Sequence, residues 1–166
     1  MYTQEEMKTA MIPLLRANGQ VYCKYKAIKA RKAKEGERIK TITSDGLETI
    51  NTAKQGDYII QNQTSAKENY IIGESKFNSR YLPLQPAEDD FHWYQPTGKV
   101  LAIEFTPTLI EQLKVDKEFH FVASWGTEMV LKEHDFLVCP LDGSSVYRIG
   151  RQEFFETYQA ELDEEL

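Results

Sequence analysis

Short apolar runs alternate with polar turns along this chain, at intervals too brief for long helices. Residues 21–31 alternate around Tyr25, Ala27 and Ile28, and residues 99–105 carry Val100, Ala102 and Ile103. Runs of period two predict strands. Residues 39–43 and 47–51, joined at Ser44-Asp45-Gly46, predict a hairpin. After Pro107, residues 108–113 predict a helical turn, followed by strands at 119–124 and 128–131. At the front, Thr3 with Glu6 forms a capping box for a helix to about Arg16, which Pro13 is expected to kink or divide.

The pattern repeats. Lys54-Gln55-Gly56-Asp57-Tyr58-Ile59-Ile60 and Lys132-Glu133-His134-Asp135-Phe136-Leu137-Val138 are each a polar turn, an Asp, an aromatic and two aliphatics. Downstream, Tyr70, Ile72, Gly73, Phe77 and Tyr81 recur at identical spacing as Tyr147, Ile149, Gly150, Phe154 and Tyr158. Each Asp suits a residue that closes its turn by accepting backbone hydrogen bonds. The runs after it suit strands, and Phe and Tyr four apart share one face of a short helix, at about 75–81 and 151–160. The expected fold is α+β: two tandem, pseudo-symmetric copies of a small antiparallel strand-turn-strand-helix module behind an N-terminal helix. The boundaries read as helix 1–20, first module 21–84, linker 85–98, second module 99–160 and acidic tail 161–166.

Composition changes this picture little. A chain of 166 residues with 41% apolar side chains is long enough to bury a core without staples. The first residues lack the basic start and unbroken apolar stretch of a secretory leader, and no stretch approaches a membrane span, so the expected location is the cytoplasm. Cys23 and Cys139, in no CxxC pair, read as reduced thiols. The net charge of −6 is uneven, because residues 24–40 hold eight basic side chains against Glu35 and Glu37. Such a run attracts phosphate, but it is also what a solvated strand edge carries. With an acidic remainder opposing a polyanion, nucleic acid is expected to bind weakly at most.

The stretch Asp45-Gly46-x-Glu48-Thr49-x-Asn51-Thr52-Ala53, Gly56-Asp57-Tyr58-Ile59 and Asn62 resembles the PGDYG protein family, named for its turn. The likeness continues through Glu68, Tyr70 and Phe77-x-x-Arg80-Tyr81. Here Gln55 replaces the Pro of the turn and Ile59 its final Gly. Ser124-Trp125-Gly126, Asp135-Phe136 and Val146-Tyr147 resemble the same unit more loosely. The resemblance spans most of residues 24–160 and implies a turn-and-strand fold, with no activity attached.

Chemical motifs are sparse. His92, His120 and His134 are dispersed, and neither a phosphate-cradling glycine loop nor a G-x-S-x-G elbow occurs. No metal and no cofactor is expected. What remains is the polar set of the first module: Glu48, Asn51, Asn62, Thr64, Glu68 and Arg80. The second module has Pro140 where Asn62 stands and Thr157 where Arg80 stands, so a ligand site retained by one copy would show this asymmetry. The expectation is a non-catalytic binding or regulatory module for a small polar or phosphorylated, anionic ligand. Arg80 would fork an anion, Asn51 and Asn62 would supply hydrogen bonds, and Glu48 would orient the ligand or take a proton. Two alternatives stand beside it: an enzyme with Glu48 as acid/base and Arg80 as anion anchor, and nucleic-acid binding through residues 24–40. Strand alternation sends Glu48 and Asn51 to opposite faces unless a bulge re-aims one of them.

Overall fold

The computed structural model describes residues 1–161 and is an α+β protein with four helices and antiparallel sheets. The order is α1 (Gln4–Asn18), β1 (Gln20–Lys24), β2 (Ile28–Lys32), β3 (Arg38–Thr43), β4 (Gly46–Thr52), β5 (Tyr58–Gln61) and β6 (Asn69–Ile72). Then come α2 (Glu74–Arg80), β7 (Tyr81–Pro86), β8 (His92–Pro96), β9 (Lys99–Glu104), α3 (Pro107–Leu113), β10 (Glu118–Val122) and β11 (Glu128–Lys132). The chain closes with β12 (Phe136–Pro140), β13 (Tyr147–Ile149), α4 (Arg151–Thr157) and β14 (Tyr158–Ala160). Two compact units result, each discontinuous in sequence. Unit 1 gathers residues 1–23, 99–154 and those from 159 onward; unit 2 gathers 24–98 and 155–158.

Unit 1 is built on a five-stranded sheet in the order β13-β12-β9-β1-β14, with β10–β11 as a separate hairpin. The Thr3–Glu6 capping box starts α1, and Met7, Met11 and Leu15 bury one stripe of it. That stripe joins a core with Phe119, Phe121, Met129 and Leu131 of the hairpin and Leu137 and Cys139 of β12. Pro13 lies within an unbroken helix rather than dividing it. Gly19 ends the helix, and its amide donates to the Leu15 carbonyl at 2.8 Å. A Cβ there would stand 2.5 Å from that oxygen, so close approach demands glycine.

Unit 2 carries the order β6-β5-β2-β8-β7, with β3–β4 as its separate hairpin. Ile28, Ala30, Ile60, Phe77 and Tyr81 form its core, bordered by Tyr58, Ile72 and Tyr94. Phe77 projects from α2 and stacks on Tyr58 with centroids 4.1 Å apart. Its amide closes the helix start on the Gly73 carbonyl at 2.9 Å.

Several local expectations need redrawing. Residues 21–31 are two strands in different sheets, β1 in that of unit 1 and β2 in that of unit 2. Alternation alone could not reveal this, because both halves are equally strand-like. The Pro-, Asp- and Gly-rich stretch 85–98 contains β8, an interior strand of the second sheet. The last helix ends at Thr157, and Tyr158–Ala160 pass into a strand. Of the acidic tail, Glu161 pairs with Lys99, and residues 162–166 lie outside the described residues.

Candidate functional site

The polar residues of unit 2 concentrate at the loop between β5 and β6. Asn62, Thr64 and Glu68 are 8, 3 and 2% exposed. A carboxylate so deep must be hydrogen-bonded. Asn62 Nδ2 donates to Glu68 Oε1 at 3.0 Å, Thr64 Oγ1 donates to Glu68 Oε2, and the Asn62 amide donates to the Glu68 carbonyl at 3.0 Å. The loop is thereby cinched around Glu68. Outside it, the amide and hydroxyl of Ser65 donate to Glu156 Oε2 at 2.7 and 3.2 Å. Two buried acceptor oxygens at this loop, Asn62 Oδ1 and Glu156 Oε1, have no hydrogen-bond partner. Glu156 is a residue the sequence reading passed over, since nothing in its local pattern separates it from a solvated helix acid.

The hairpin β3–β4 supplies the next residues, and its register settles the parity of Glu48 and Asn51. Thr41 opposes Thr49 while Ile42 opposes Leu47, so Glu48 is an extra residue at a bulge. The bulge turns Glu48 and Thr49 away from solvent between exposed Leu47 and Ile50. Glu48 and Asn51, three apart, therefore share the sheltered face with Thr41 and Thr49. On that face Asn51 Nδ2 donates to Thr49 Oγ1 at 3.2 Å, and Thr41 Oγ1 donates to the Asn69 carbonyl at 2.6 Å. This last bond ties the hairpin to β6, one residue beyond Glu68. Buried Thr41, Thr43 and Thr49 were not singled out from sequence, although Thr alternating with Ile over 41–43 and again at 49–50 signals a two-faced hairpin.

Arg80 lies elsewhere. It ends α2 immediately before β7, and its carbonyl accepts from the Thr97 amide at 2.8 Å and the Thr97 hydroxyl at 3.1 Å. β7 and β6 are opposite edges of the five-stranded sheet. The structure thus gathers Asn62 with Glu68, places Glu48 with Asn51 on the adjoining hairpin face, and puts Arg80 at the end of α2, before the opposite edge strand β7.

The basic run is partly occupied within unit 2. Arg31 forks Glu37 at 3.1 and 2.5 Å, and that hydrogen-bonded guanidinium lowers the Glu37 carboxyl to about 2. Arg31 also covers the Phe91 ring at 5.5 Å, Lys29 covers Trp93 at 5.0 Å, and Lys24 donates to the Tyr81 hydroxyl at 2.8 Å. Asp57 and Asp135 close their turns: each accepts through Oδ2 at 2.8 Å from the amide three residues earlier, Lys54 and Lys132. Burial pushes the Cys139 thiol up, the opposite of what a nucleophile needs.

Among the described residues, no group of three or more His, Cys, Asp or Glu side chains is placed to hold a metal ion. None of their helices is long and apolar enough to cross a membrane. In comparisons with known proteins, no family model, no curated protein and no solved structure matches the chain.

Proposed function

We propose that the chain is two copies of one module acting as a non-catalytic binding protein, with a small polar ligand held by unit 2 at the 62–68 loop. Support for the two copies comes from like geometry at like positions. Tyr58 stacks on Phe77 at 4.1 Å and 13°, and Phe136 on Phe154 at 3.9 Å and 9°. Tyr94 meets Phe77 edge-on at 4.8 Å and 75°, and Tyr22 meets Phe154 at 4.8 Å and 74°. The Ala33 amide donates to the Asp57 carbonyl and the Phe105 amide to that of Asp135, both at 2.8 Å. Tyr22 lies on β1 and Tyr94 on β8, so each copy's first strand, including the stretch expected as a linker, completes the other copy's sheet. Membership of the PGDYG family is part of this proposal and rests on the turn and strand residues quoted above.

The ligand reading is carried by one observation: the Asn62 side chain is 8% exposed and its Oδ1 lacks a partner. A buried carbonyl without a donor costs about 1–3 kcal/mol, which a ligand's N–H or O–H recovers. Unpartnered Glu156 Oε1 and the Glu68 carboxylate make the surroundings electronegative. That selects a donor, such as an amine or amide, over a phosphate. In unit 1 Pro140 replaces Asn62, so the second copy is scaffold.

The test is a titration of isotope-labelled protein with methylammonium, acetamide and inorganic phosphate, followed by amide chemical shifts. Methylammonium or acetamide should move residues 62–68, and Asn62→Ala should abolish that movement while the remaining spectrum stays native. Silence at residues 62–68, or a response to phosphate alone, would sink the reading.

A further inference from the structure

The outer face of the β3–β4 hairpin is built inside out. Thr41, Thr43 and Thr49 are buried at 1, 6 and 6% exposure, while Ile42, Leu47 and Ile50 stand 51, 59 and 41% exposed. Ile42 and Leu47 are cross-strand partners, and Ile50 opposes Lys40. Arg38 opposes Thr52 at the far end of the same face, so six neighbouring positions carry three aliphatics, two cations and a threonine. The bulge at Glu48 produces this composition, bringing Leu47 and Ile50 to one side and turning the carboxylate to the other. An isolated monomer gains nothing by burying hydroxyls and wetting aliphatics. The arrangement is what a recognition surface requires, with apolar side chains at its centre and charge at its rim.

We propose that this face docks an acidic amphipathic segment of a partner protein. Charge complementarity selects that occupant: carboxylates flanking an aliphatic stripe would meet Arg38 and Lys40 while the stripe covers Ile42, Leu47 and Ile50. A bilayer fits less well, because exposed Asp45 occupies the hairpin tip and would have to enter the headgroups first. The proposal is independent of the ligand at the 62–68 loop, which adjoins the hairpin's other face.

The experiment uses the whole chain and a fluorescent helical peptide of about 15 residues, with Leu at i, i+3, i+4 and i+7, Glu beside that stripe and Ala and Gln elsewhere. Anisotropy should show saturable binding, and amide shifts should change along residues 38–52. The double variant Ile42→Thr, Leu47→Thr keeps strand-forming side chains and should weaken binding about tenfold or more. Lys40→Glu should weaken it several-fold, and raising salt from about 50 to about 500 mM should do the same. Asn62→Ala should leave peptide binding unchanged, which separates this surface from the ligand site. Failure of the acidic peptide to bind overturns the proposal, as does equal binding of a Lys-substituted counterpart. Anionic phosphatidylserine vesicles captured through Leu47, or a dimer that the double variant dissociates, would assign the face to a membrane or a second copy and overturn it equally.

Discussion

The hairpins β3–β4 and β10–β11 occupy like places in their units and solve opposite problems. In β10–β11 the sheltered positions are Phe119, Phe121, Met129 and Leu131, and the wet ones include Glu118, His120, Glu128 and Lys132, with His120 held to Glu128 at 2.7 Å. In β3–β4 the sheltered positions are Ile39, Thr41, Thr43, Glu48, Thr49 and Asn51, and the wet ones include Ile42, Leu47 and Ile50. The first hairpin packs on α1 and stabilises its unit by burial. The second contributes hydroxyl hydrogen bonds to its own unit and leaves its apolar side available. A similar contrast runs through the sheets. Arg148 on β13 is buried against Asp135 at 2.6 and 3.1 Å, whereas the matching position on β6 is Ile71. What differs between the two hairpins is which side chains they shelter, apolar in β10–β11 and largely hydroxyl and amide in β3–β4.

The largest expected effects test the likeness itself. Phe77→Ala and Phe154→Ala each remove a fully enclosed ring and should each cost about 3–5 kcal/mol in chemical denaturation. Costs of similar size are required if the two aromatic clusters are equivalent; a loss below about 1 kcal/mol at either position breaks the comparison.

Next come the two turn aspartates, which sharpen the difference. Asp135→Asn removes the charge hydrogen-bonded to the buried Arg148 guanidinium and should cost about 3–5 kcal/mol. Asp57→Asn touches a half-buried turn, where the bond from the Lys54 amide is the one at stake, and should cost about 1 kcal/mol. Equal losses in thermal or urea unfolding would contradict the asymmetry.

The smallest effect is one of pH. Glu37, held by Arg31, titrates at about 2 in the folded chain, below the roughly 4.3 of an unfolded glutamate. A lowered carboxyl stabilises fully above the unfolded value, and its contribution disappears as pH falls through the folded one. The stability gap between the native chain and Glu37→Gln should therefore stay level from about pH 5 to 8 and close between about 4.3 and 2. A gap unchanged at pH 2, read by urea midpoints, would show that the fork does not carry it.

The α+β class, the capping box, both hairpins, the turn aspartates and the Phe77 and Phe154 helices were legible in the chain, because each depends on neighbours within a few residues. The left-handed residue before the first Asp also follows locally, since it is Gly56, with φ 89°. The bond of Asn62 to Glu68 was also within reach, both residues belonging to one loop. Three things were decided only by tertiary structure. The separation of β1 from β2 depends on which sheet each completes, and alternation is identical for either choice. The side taken by Glu48 depends on one extra residue at a bulge, which reverses the parity that residue counting assigns. The placement of β6 and β7 depends on strand order: joined in sequence by the short helix α2, they stand at opposite edges because β5, β2 and β8 lie between them. Local pattern specifies elements through short-range sterics and hydrogen bonds, whereas neighbours in a sheet are chosen by burial summed over strands far apart in the chain.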